Sequence, residues 1–311
     1  MVPPKRQSIP PPSLVHLALE SRTLLELTSL LPAWPVLSTA PKGDGHPVIV
    51  YPGFMAGNVT TLPLRYFLKQ IGYEPLTWQF GRNRGQFLTI HPAMIERIQR
   101  VCARTGKKVT LLGWSLGGVY ARELAKTCPE QVRQVITLGS PFSGSPRATN
   151  VAWLFEKITG YRLANLEEQV RETSLPPPVP MTAIYTLSDG IVSWKCTVEE
   201  STGPSRENIQ VPGSHLGLGH NPLVLWIIAD RLAQGENAWR PFEVRGLAKL
   251  LLSAPGVHGT TSPSRPTRES TSSWHPMEPR HAAPPRSQAI RNLDRCLRRL
   301  EALVEGTQTG T

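Results

Sequence analysis

Residues 109–127 contain a serine in a setting suited to nucleophilic chemistry. Gly113-x-Ser115-x-Gly117 follows a β-branched and leucine run typical of a buried strand, and a helix-like segment comes directly after it. A sharp strand-to-helix turn strains its central residue, and only small flanking residues let the strand and the helix approach closely. Such a turn would hold the Ser115 hydroxyl clear of the sheet. The pattern therefore predicts a nucleophile, although a plain Gly/Ser turn has the same spacing.

A serine hydroxyl is a weak nucleophile near pH 7 and needs a base, which is commonly a histidine oriented by a carboxylate. Asp189 follows one predicted strand, and His215 follows the next. Because the active edge of a parallel sheet lies beyond the carboxyl ends of its strands, we expect both side chains near Ser115. Taken alone, an Asp-Gly pair is a common turn and a single histidine is more often structural. His220 is a second candidate base, but it precedes Asn221-Pro222 and is typical of a helix entry.

Attack by Ser115 on a carbonyl would form an oxyanion that needs two N–H donors. One is predicted to be the amide of Leu116, directly after the nucleophile, and the other should come from the loop after the first strand. There the sequence offers the amide of Phe54, with Met55 as the fallback, and Gly53 allows close approach of the backbone. A donor of this kind contributes about 3 kcal/mol of transition-state stabilisation.

These residues need a sheet to bring them together, and the chain alternates apolar strand-like runs with helical patterns. That alternation is typical of a mostly parallel sheet of about six strands with helices on both faces. The predicted strands cover residues 47–51, 76–80, 109–112, 132–138, 182–187 and 208–211. The predicted helices that follow or join them cover residues 62–71, 90–104, 119–127 and 222–233.

A further helix is predicted ahead of the first strand, over residues 14–31, with Ser13 as its cap. Pro32 and Pro35 are expected to end it. Its leucines cover much of its circumference, and charged residues occupy the remainder. Because the segment is poor in Lys and Arg, we expect it to lie on the domain rather than on a membrane surface.

Three regions depart from the alternating pattern. Residues 1–12 are proline-rich and predicted to be disordered, and one globular domain is predicted over 13–244. An insertion at about 143–180, with a helix over 151–158, is predicted to be a small lid, or a helix packed over a sheet edge. Residues 245–311 are predicted to be mostly disordered. Within them a helix is predicted over 288–304, with a narrow apolar stripe along one side. This helix either binds a partner or the domain, or has no role.

Composition narrows the class of protein. The 311 residues are 40% hydrophobic and carry a formal net charge of +11, but no nucleic-acid recognition motif accompanies that charge. The four cysteines, Cys102, Cys128, Cys196 and Cys296, form no C-x-x-C pair, so a reducing, cytoplasmic location is expected. No secretory signal and no apolar run long enough to span a bilayer is found, which leaves peripheral membrane contact open.

Several of these motifs together resemble the α/β-hydrolase superfamily, in its compact lipase and esterase branch. The motifs span residues 45–240 and are Val50-Tyr51-Pro52-Gly53-Phe54, Gly113-Trp114-Ser115-Leu116-Gly117-Gly118, Leu138-Gly139-Ser140-Pro141, Ser188-Asp189-Gly190-Ile191-Val192 and Gly213-Ser214-His215. The resemblance implies an α/β-hydrolase fold with a lid and a triad of Ser115, Asp189 and His215. It also implies oxyanion amides at Phe54 and Leu116 and no metal or organic cofactor. Phe142 departs from the histidine that often follows Gly-Ser-Pro in lipase-like chains.

The predicted function is hydrolysis of carboxylic esters of apolar acyl groups, in a small molecule or a lipid. Apolar side chains expected at the site edge would hold the acyl group. They are Trp114, Met55, Phe142 and Trp153. The same triad would also serve an acyltransferase, and a non-catalytic interaction protein is a third hypothesis, which the intact triad disfavours. The sequence does not indicate an oligomeric state.

Overall fold

The computed structural model of the protein describes residues 9–163, 167–201, 203 and 205–243. All of them belong to the first of the chain's two units, Met1–Thr261. The predicted C-terminal helix and Cys296 lie outside the described residues, so the domain boundary at residue 244 stays a prediction. Over the described ranges, no helix is both long enough and apolar enough to cross a membrane.

A single six-stranded sheet forms the centre of the domain, and every strand pair in it is parallel. Its order is β2-β1-β3-β4-β5-β6. The strands are β1 (Pro47–Tyr51), β2 (Glu74–Thr77), β3 (Val109–Trp114), β4 (Val132–Leu138), β5 (Met181–Tyr185) and β6 (Arg206–Gln210). The prediction of about six mostly parallel strands is confirmed. The strand β3 runs two residues further than predicted, and β2, β5 and β6 begin earlier. For β2 the reason is register, because Pro47 at the start of β1 pairs with Glu74.

Helices cover both faces of the sheet, as predicted. They are α1 (Leu14–Leu19), α2 (Thr23–Thr28), α3 (Leu30–Leu37), α4 (Leu62–Gln70), α5 (Phe87–Thr105), α6 (Leu116–Thr127), α7 (Ala152–Thr159), α8 (Glu167–Ser174) and α9 (Pro222–Leu232). Along β1, Val48 and Val50 join one apolar cluster with α4 and α9, whereas Ile49 and Tyr51 join the other with α5 and α6. This alternation is the two-residue period of a strand, and it buries both faces of the sheet.

The N-terminal helix is shorter and more broken than predicted. Ser13 caps α1 by accepting a hydrogen bond from the His16 N–H, but a 3₁₀ turn at Glu20–Arg22 separates α1 from α2. Pro32 and Pro35 do not end the helical region, which continues to Leu37 in α3. Pro32 lies in the first turn of α3, where a backbone N–H has no helical acceptor, so proline costs little there.

The predicted disordered N-terminus is partly docked on the domain. Ile9 packs against a small apolar cluster that includes Val192 and Cys196. The Pro12 carbonyl accepts a hydrogen bond from the Asn150 side-chain amide at 3.1 Å. Residues 9–12 therefore contact the domain, and the disorder of residues 1–12 stays a prediction.

A buried ion pair gives a test of this architecture. Arg122 on α6 is fully buried, and its guanidinium donates to Glu199 Oε2 at 2.8 Å and to the Leu175 carbonyl at 3.1 Å. We predict that Glu199→Ala lowers the free energy of unfolding by about 3–5 kcal/mol, because it leaves a buried cation without its counter-ion. Urea denaturation measures the change.

The control is Glu96→Ala, which removes the exposed partner of Arg100 on α5. Exposed pairs contribute little, so the expected loss is under about 1 kcal/mol. Equal losses in the two variants would contradict the role given to the buried pair.

Candidate active site

Ser115 occupies a strained turn between β3 and α6. Its backbone has φ 52° and ψ −126°, a region that a residue with a side chain rarely adopts. The turn is held by two hydrogen bonds, from the Ser115 N–H to the Leu138 carbonyl at 2.8 Å and from the Gly118 N–H to the Ser115 carbonyl at 2.9 Å. The predicted strand, turn and helix are thus present in that order.

Glycines around Ser115 let three segments pack against one another. A Cβ at Gly117 would strike the Tyr51 carbonyl at the end of β1, and a Cβ at Gly118 would strike the Ser140 side chain after β4. A Cβ at Gly53 would lie 3.1 Å from the Ser115 Cβ. The turn can therefore form only where these positions have no side chain.

His215 and Asp189 form a buried hydrogen-bonded pair. His215 Nδ1 lies 2.6 Å from Asp189 Oδ2, and both side chains are almost wholly buried. The other carboxylate oxygen of Asp189 accepts from the N–H groups of Ile191 at 2.9 Å and Val192 at 2.7 Å. Both oxygens are therefore occupied, which fixes the carboxylate against the ring and leaves His215 Nε2 available as an acceptor.

The charge around His215 favours its protonated form. Burial lowers the pKa of the imidazole, but the Asp189 carboxylate, its hydrogen bond to Nδ1 and the nearby Glu20 carboxylate outweigh burial and raise that pKa above its usual value. The pair is therefore suited to stabilise an imidazolium once the ring has accepted a proton.

Two observations place His215 close to the Ser115 turn. The Trp114 indole N–H donates to the His215 carbonyl at 3.0 Å. A Cβ at Gly139 would lie 3.0 Å from His215 Nδ1, and Gly139 directly follows Leu138, which binds the Ser115 N–H. Within the described chain no hydrogen bond joins the Ser115 hydroxyl to the imidazole. Bonds of this kind are often long without substrate and tighten when it binds.

The predicted oxyanion donors border the same turn. Among the described residues, the N–H groups of Phe54 and Leu116 have no hydrogen-bond acceptor in the protein. Met55, the predicted fallback, is excluded because its N–H donates to the Asn83 carbonyl at 2.6 Å. The buried Asn83 side chain also donates to the Pro52 carbonyl at 2.8 Å, so it fixes the loop that carries Phe54. The sequence alone gave no reason to select Asn83.

The competing base lies elsewhere in the domain. His220 Nε2 is 3.1 Å from both the hydroxyl and the carbonyl oxygen of Thr23 on α2. His220 therefore contacts the N-terminal helices and has no contact with Asp189. In the described residues, no group of three or more His, Cys, Asp or Glu side chains is arranged to hold a metal ion.

Two of the four predicted substrate contacts lie in the core. Phe142 is fully buried and stacks on the Arg122 guanidinium at 3.8 Å, and Trp114 packs in the cluster on the other face of the sheet. The prediction is corrected for both, because position after a strand does not decide which way a side chain points. Met55 is half-buried in the oxyanion loop, and Trp153 on α7 is 65% exposed.

Glu20 is a site residue that the sequence analysis missed. It is buried, and its carboxylate accepts three backbone N–H groups, from Gly190 at 2.8 Å, His215 at 3.0 Å and Leu216 at 2.9 Å. It thus joins the Asp189 loop to the His215 loop. The available signal was a carboxylate inside a leucine-rich segment, which the helical pattern assigned to the outer face.

Two neighbours of Glu20 reinforce the same junction. The Arg22 guanidinium donates to the carbonyls of Ser188 at 3.0 Å and Gly213 at 2.6 Å. The Glu26 carboxylate accepts from the Ser214 N–H at 2.8 Å and the Ser214 hydroxyl at 2.9 Å. The charged residues of the N-terminal helices therefore face the site loops.

Comparisons with known proteins by sequence cover part of the chain. A family model described as palmitoyl protein thioesterase matches residues 47–176, which include the Phe54 loop and Ser115 but end before Asp189. Pimeloyl-[acyl-carrier protein] methyl ester esterase of Aliivibrio fischeri is 48% identical over 52 residues, which are 17% of this chain and 19% of that protein. The enzyme of the same name from Aliivibrio salmonicida is 38% identical over 78 residues, 25% of this chain and 28% of that protein. The chain therefore spans less than a third of the length of the curated relatives it matches.

One solved structure extends the fold comparison beyond the matched segment. Acylaminoacyl peptidase of Pyrococcus horikoshii superposes with a TM-score of 0.50 at 12% identity, over 68% of this chain and 40% of that one. At this identity the likeness concerns the fold alone.

The close packing at the turn can be tested by adding one methyl group. We predict that Gly117→Ala lowers the free energy of unfolding by about 1–3 kcal/mol, because the new Cβ collides with the Tyr51 carbonyl. Gly235→Ala is the control, since its Cβ would meet only the Ala238 Cβ at 3.7 Å. Urea denaturation measures the free energy of unfolding of both variants. An unchanged value for Gly117→Ala would contradict the packing described.

Proposed function

We propose that this chain is a serine hydrolase of the α/β-hydrolase superfamily that cleaves esters of apolar acyl groups. The observation that carries the proposal is the buried His215–Asp189 pair, joined at 2.6 Å, beside a serine in a strained strand-to-helix turn. A scaffold protein has no need of a strained serine, an oriented imidazole and two unpaired amides at one sheet edge.

In the proposed reaction, Ser115 Oγ attacks the carbonyl carbon of the ester while its proton passes to His215 Nε2. The Asp189 carboxylate stabilises the imidazolium that results, and the amides of Phe54 and Leu116 bind the oxyanion. Collapse of the intermediate expels the alcohol, which takes the proton from His215. Water then attacks the acyl-enzyme with the same base, releasing the acid and restoring Ser115.

The two comparisons by sequence bear on the substrate. The family model names a palmitoyl thioester, and the partial relatives are named for a methyl ester. Both are acyl compounds whose carbonyl a serine can attack. Oxygen esters and thioesters of a long acyl chain are therefore the substrates to compare first, with acyl transfer to an added alcohol or amine as the alternative outcome.

The central prediction is that a fluorophosphonate probe labels Ser115 and that Ser115→Ala abolishes both labelling and p-nitrophenyl ester turnover. The expected fall in kcat is on the order of 10⁴-fold or more, as for other serine hydrolases that lose the nucleophile. Ser145→Ala, a half-buried serine in the loop after β4, should retain both activities.

The base is tested in the same way, with His215→Ala against His220→Ala. Only the first should lose turnover, because His220 binds Thr23 and lies away from Asp189. Undiminished turnover of the p-nitrophenyl ester by Ser115→Ala would contradict the proposed mechanism. Product analysis that finds the acyl group on an added acceptor rather than in the free acid would replace hydrolysis by transfer.

A further inference from the structure

The N-terminal helices expose an apolar face toward solvent. Because Glu20, Arg22 and Glu26 are turned toward the site loops, the leucines of the same segment point outward. Seven large apolar side chains between 14 and 31 are exposed, among them Leu31 at 80% and Leu14 at 77%. We call this set the N-terminal apolar face. Its members are Leu14, Val15, Leu19, Leu24, Leu25, Leu27 and Leu31.

Further exposed apolar side chains follow the carboxyl ends of the strands. They are Val59, Leu62 and Tyr66 after β1, Trp153 after β4, Leu187 after β5 and Leu216 after β6. In a parallel sheet these segments gather at the edge that carries Ser115. The N-terminal helices join that edge, since they bind the loops after β5 and β6. Single exposed apolar residues are common on protein surfaces, but a concentration of them at one edge indicates an interaction site.

Charge identifies the kind of surface that fits. Exposed cations lie in loops and helices after β2, β4 and β5, namely Arg82, Arg84, Arg147, Lys157 and Lys195. The two carboxylates of the N-terminal helices are turned inward, and the chain as a whole has a formal net charge of +11. Apolar side chains on the N-terminal helices, with cations supplied by loops at the same edge of the sheet, match a membrane surface that contains anionic lipid. This departs from the expectation for residues 14–31, which was based on the few cations of that segment alone.

The spread of the apolar residues favours lipid over a protein partner. They come from several separate segments, and many of them project singly. A bilayer accepts side chains at any spacing, whereas a protein interface needs a surface of matching shape. We propose that the N-terminal apolar face docks this chain on anionic lipid membranes, with the edge that carries Ser115 turned toward the bilayer.

Vesicle co-sedimentation of the full chain tests the proposal. The wild type should bind vesicles of phosphatidylcholine with phosphatidylglycerol more strongly than vesicles of phosphatidylcholine alone. Leu25→Glu and Leu31→Glu should each weaken binding by about tenfold or more, because a carboxylate cannot enter the apolar layer. Leu175→Glu is matched in charge, and it alters an exposed leucine just ahead of β5, at the opposite end of that strand. Its binding should stay near that of the wild type.

Folding is checked by circular dichroism and by turnover of a water-soluble short-chain ester, which none of these surface substitutions should change. Equal binding by Leu25→Glu and Leu175→Glu would overturn the proposal, as would a wild type that binds no vesicles. Dimers that dissociate in Leu25→Glu, seen by light scattering, would assign the face to a second copy of the chain instead.

A separate observation assigns a role to Glu20, and this second inference rests on the proposed function. Its carboxylate binds Gly190 next to the acid and both His215 and Leu216 at the base, so it spans the two loops whose separation sets the His215–Asp189 distance. We infer that Glu20 is a positioning residue that holds the acid and the base in register.

Glu20→Gln tests this role because it keeps the size of the side chain and removes its charge. The variant should lose about tenfold or more in kcat with little change in KM, as expected when a supporting contact is lost. The acid limb of kcat/KM should also move to lower pH. The base must be neutral to act, the Glu20 charge helps to raise the pKa of His215, and its removal therefore lets the ring deprotonate at lower pH.

Glu26→Gln is the matched control, because Glu26 contacts Ser214 but neither the acid nor the base residue. It should keep the wild-type pH profile. A Glu20→Gln protein that melts earlier but has unchanged kcat and an unchanged acid limb would make Glu20 merely structural. A wild type without ester turnover would instead refute the proposed function, so the two failures are distinguishable.

Discussion

The arrangement of the site depends on one buried carboxylate and the backbone donors around it. Loops after two neighbouring strands carry Asp189 and His215, the proposed acid and base, and the N–H groups of these loops need acceptors because they are buried. Glu20 supplies one acceptor to the Asp189 loop and two to the His215 loop. The buried Glu20 carboxylate would in turn cost several kcal/mol if it had no N–H donors. The loops therefore need Glu20 as an acceptor, and Glu20 needs the loops as donors. The N-terminal helices and the site loops therefore fix each other.

This constraint explains why the N-terminal helices have their polar side inward. Because Glu20, Arg22 and Glu26 bind the loops, the leucine-rich side of the N-terminal helices faces outward. The usual rule for a helix on a domain, apolar in and polar out, is reversed. In this orientation the carboxylates satisfy backbone N–H groups of the site loops, and the leucine side chains stay exposed. The exposed leucines are thus a consequence of how the acid and the base are held.

The central fold, and the sheet edge on which Ser115, Asp189 and His215 lie, could be predicted because both follow from local patterns. Apolar runs gave the six strands, and the positions of Ser115, Asp189 and His215 after three of them placed all three at one edge. The orientation of the N-terminal helices could not be predicted, since Glu20 bonds to residues 170 to 196 positions away. Phe142 and Trp114 were misassigned for a related reason. Position after a strand gives the edge of the sheet, but packing decides whether a side chain turns into the core.

The two inferences meet in one segment, because α1, α2 and the turn between them carry Glu20 and six of the seven residues of the apolar face. If the face docks on lipid as proposed, the bilayer holds the same backbone that aligns the acid with the base. If α1 and α2 moved away from the loops, the hydrogen bonds of Glu20 and Arg22 would break together. If the helices stayed in contact with the loops, the His215–Asp189 distance would stay short. Covering the leucines also removes the cost of exposing them, so docking would stabilise the positioned arrangement of the loops. Binding and catalysis would then be coupled through the N-terminal helices, with no movement of the sheet required.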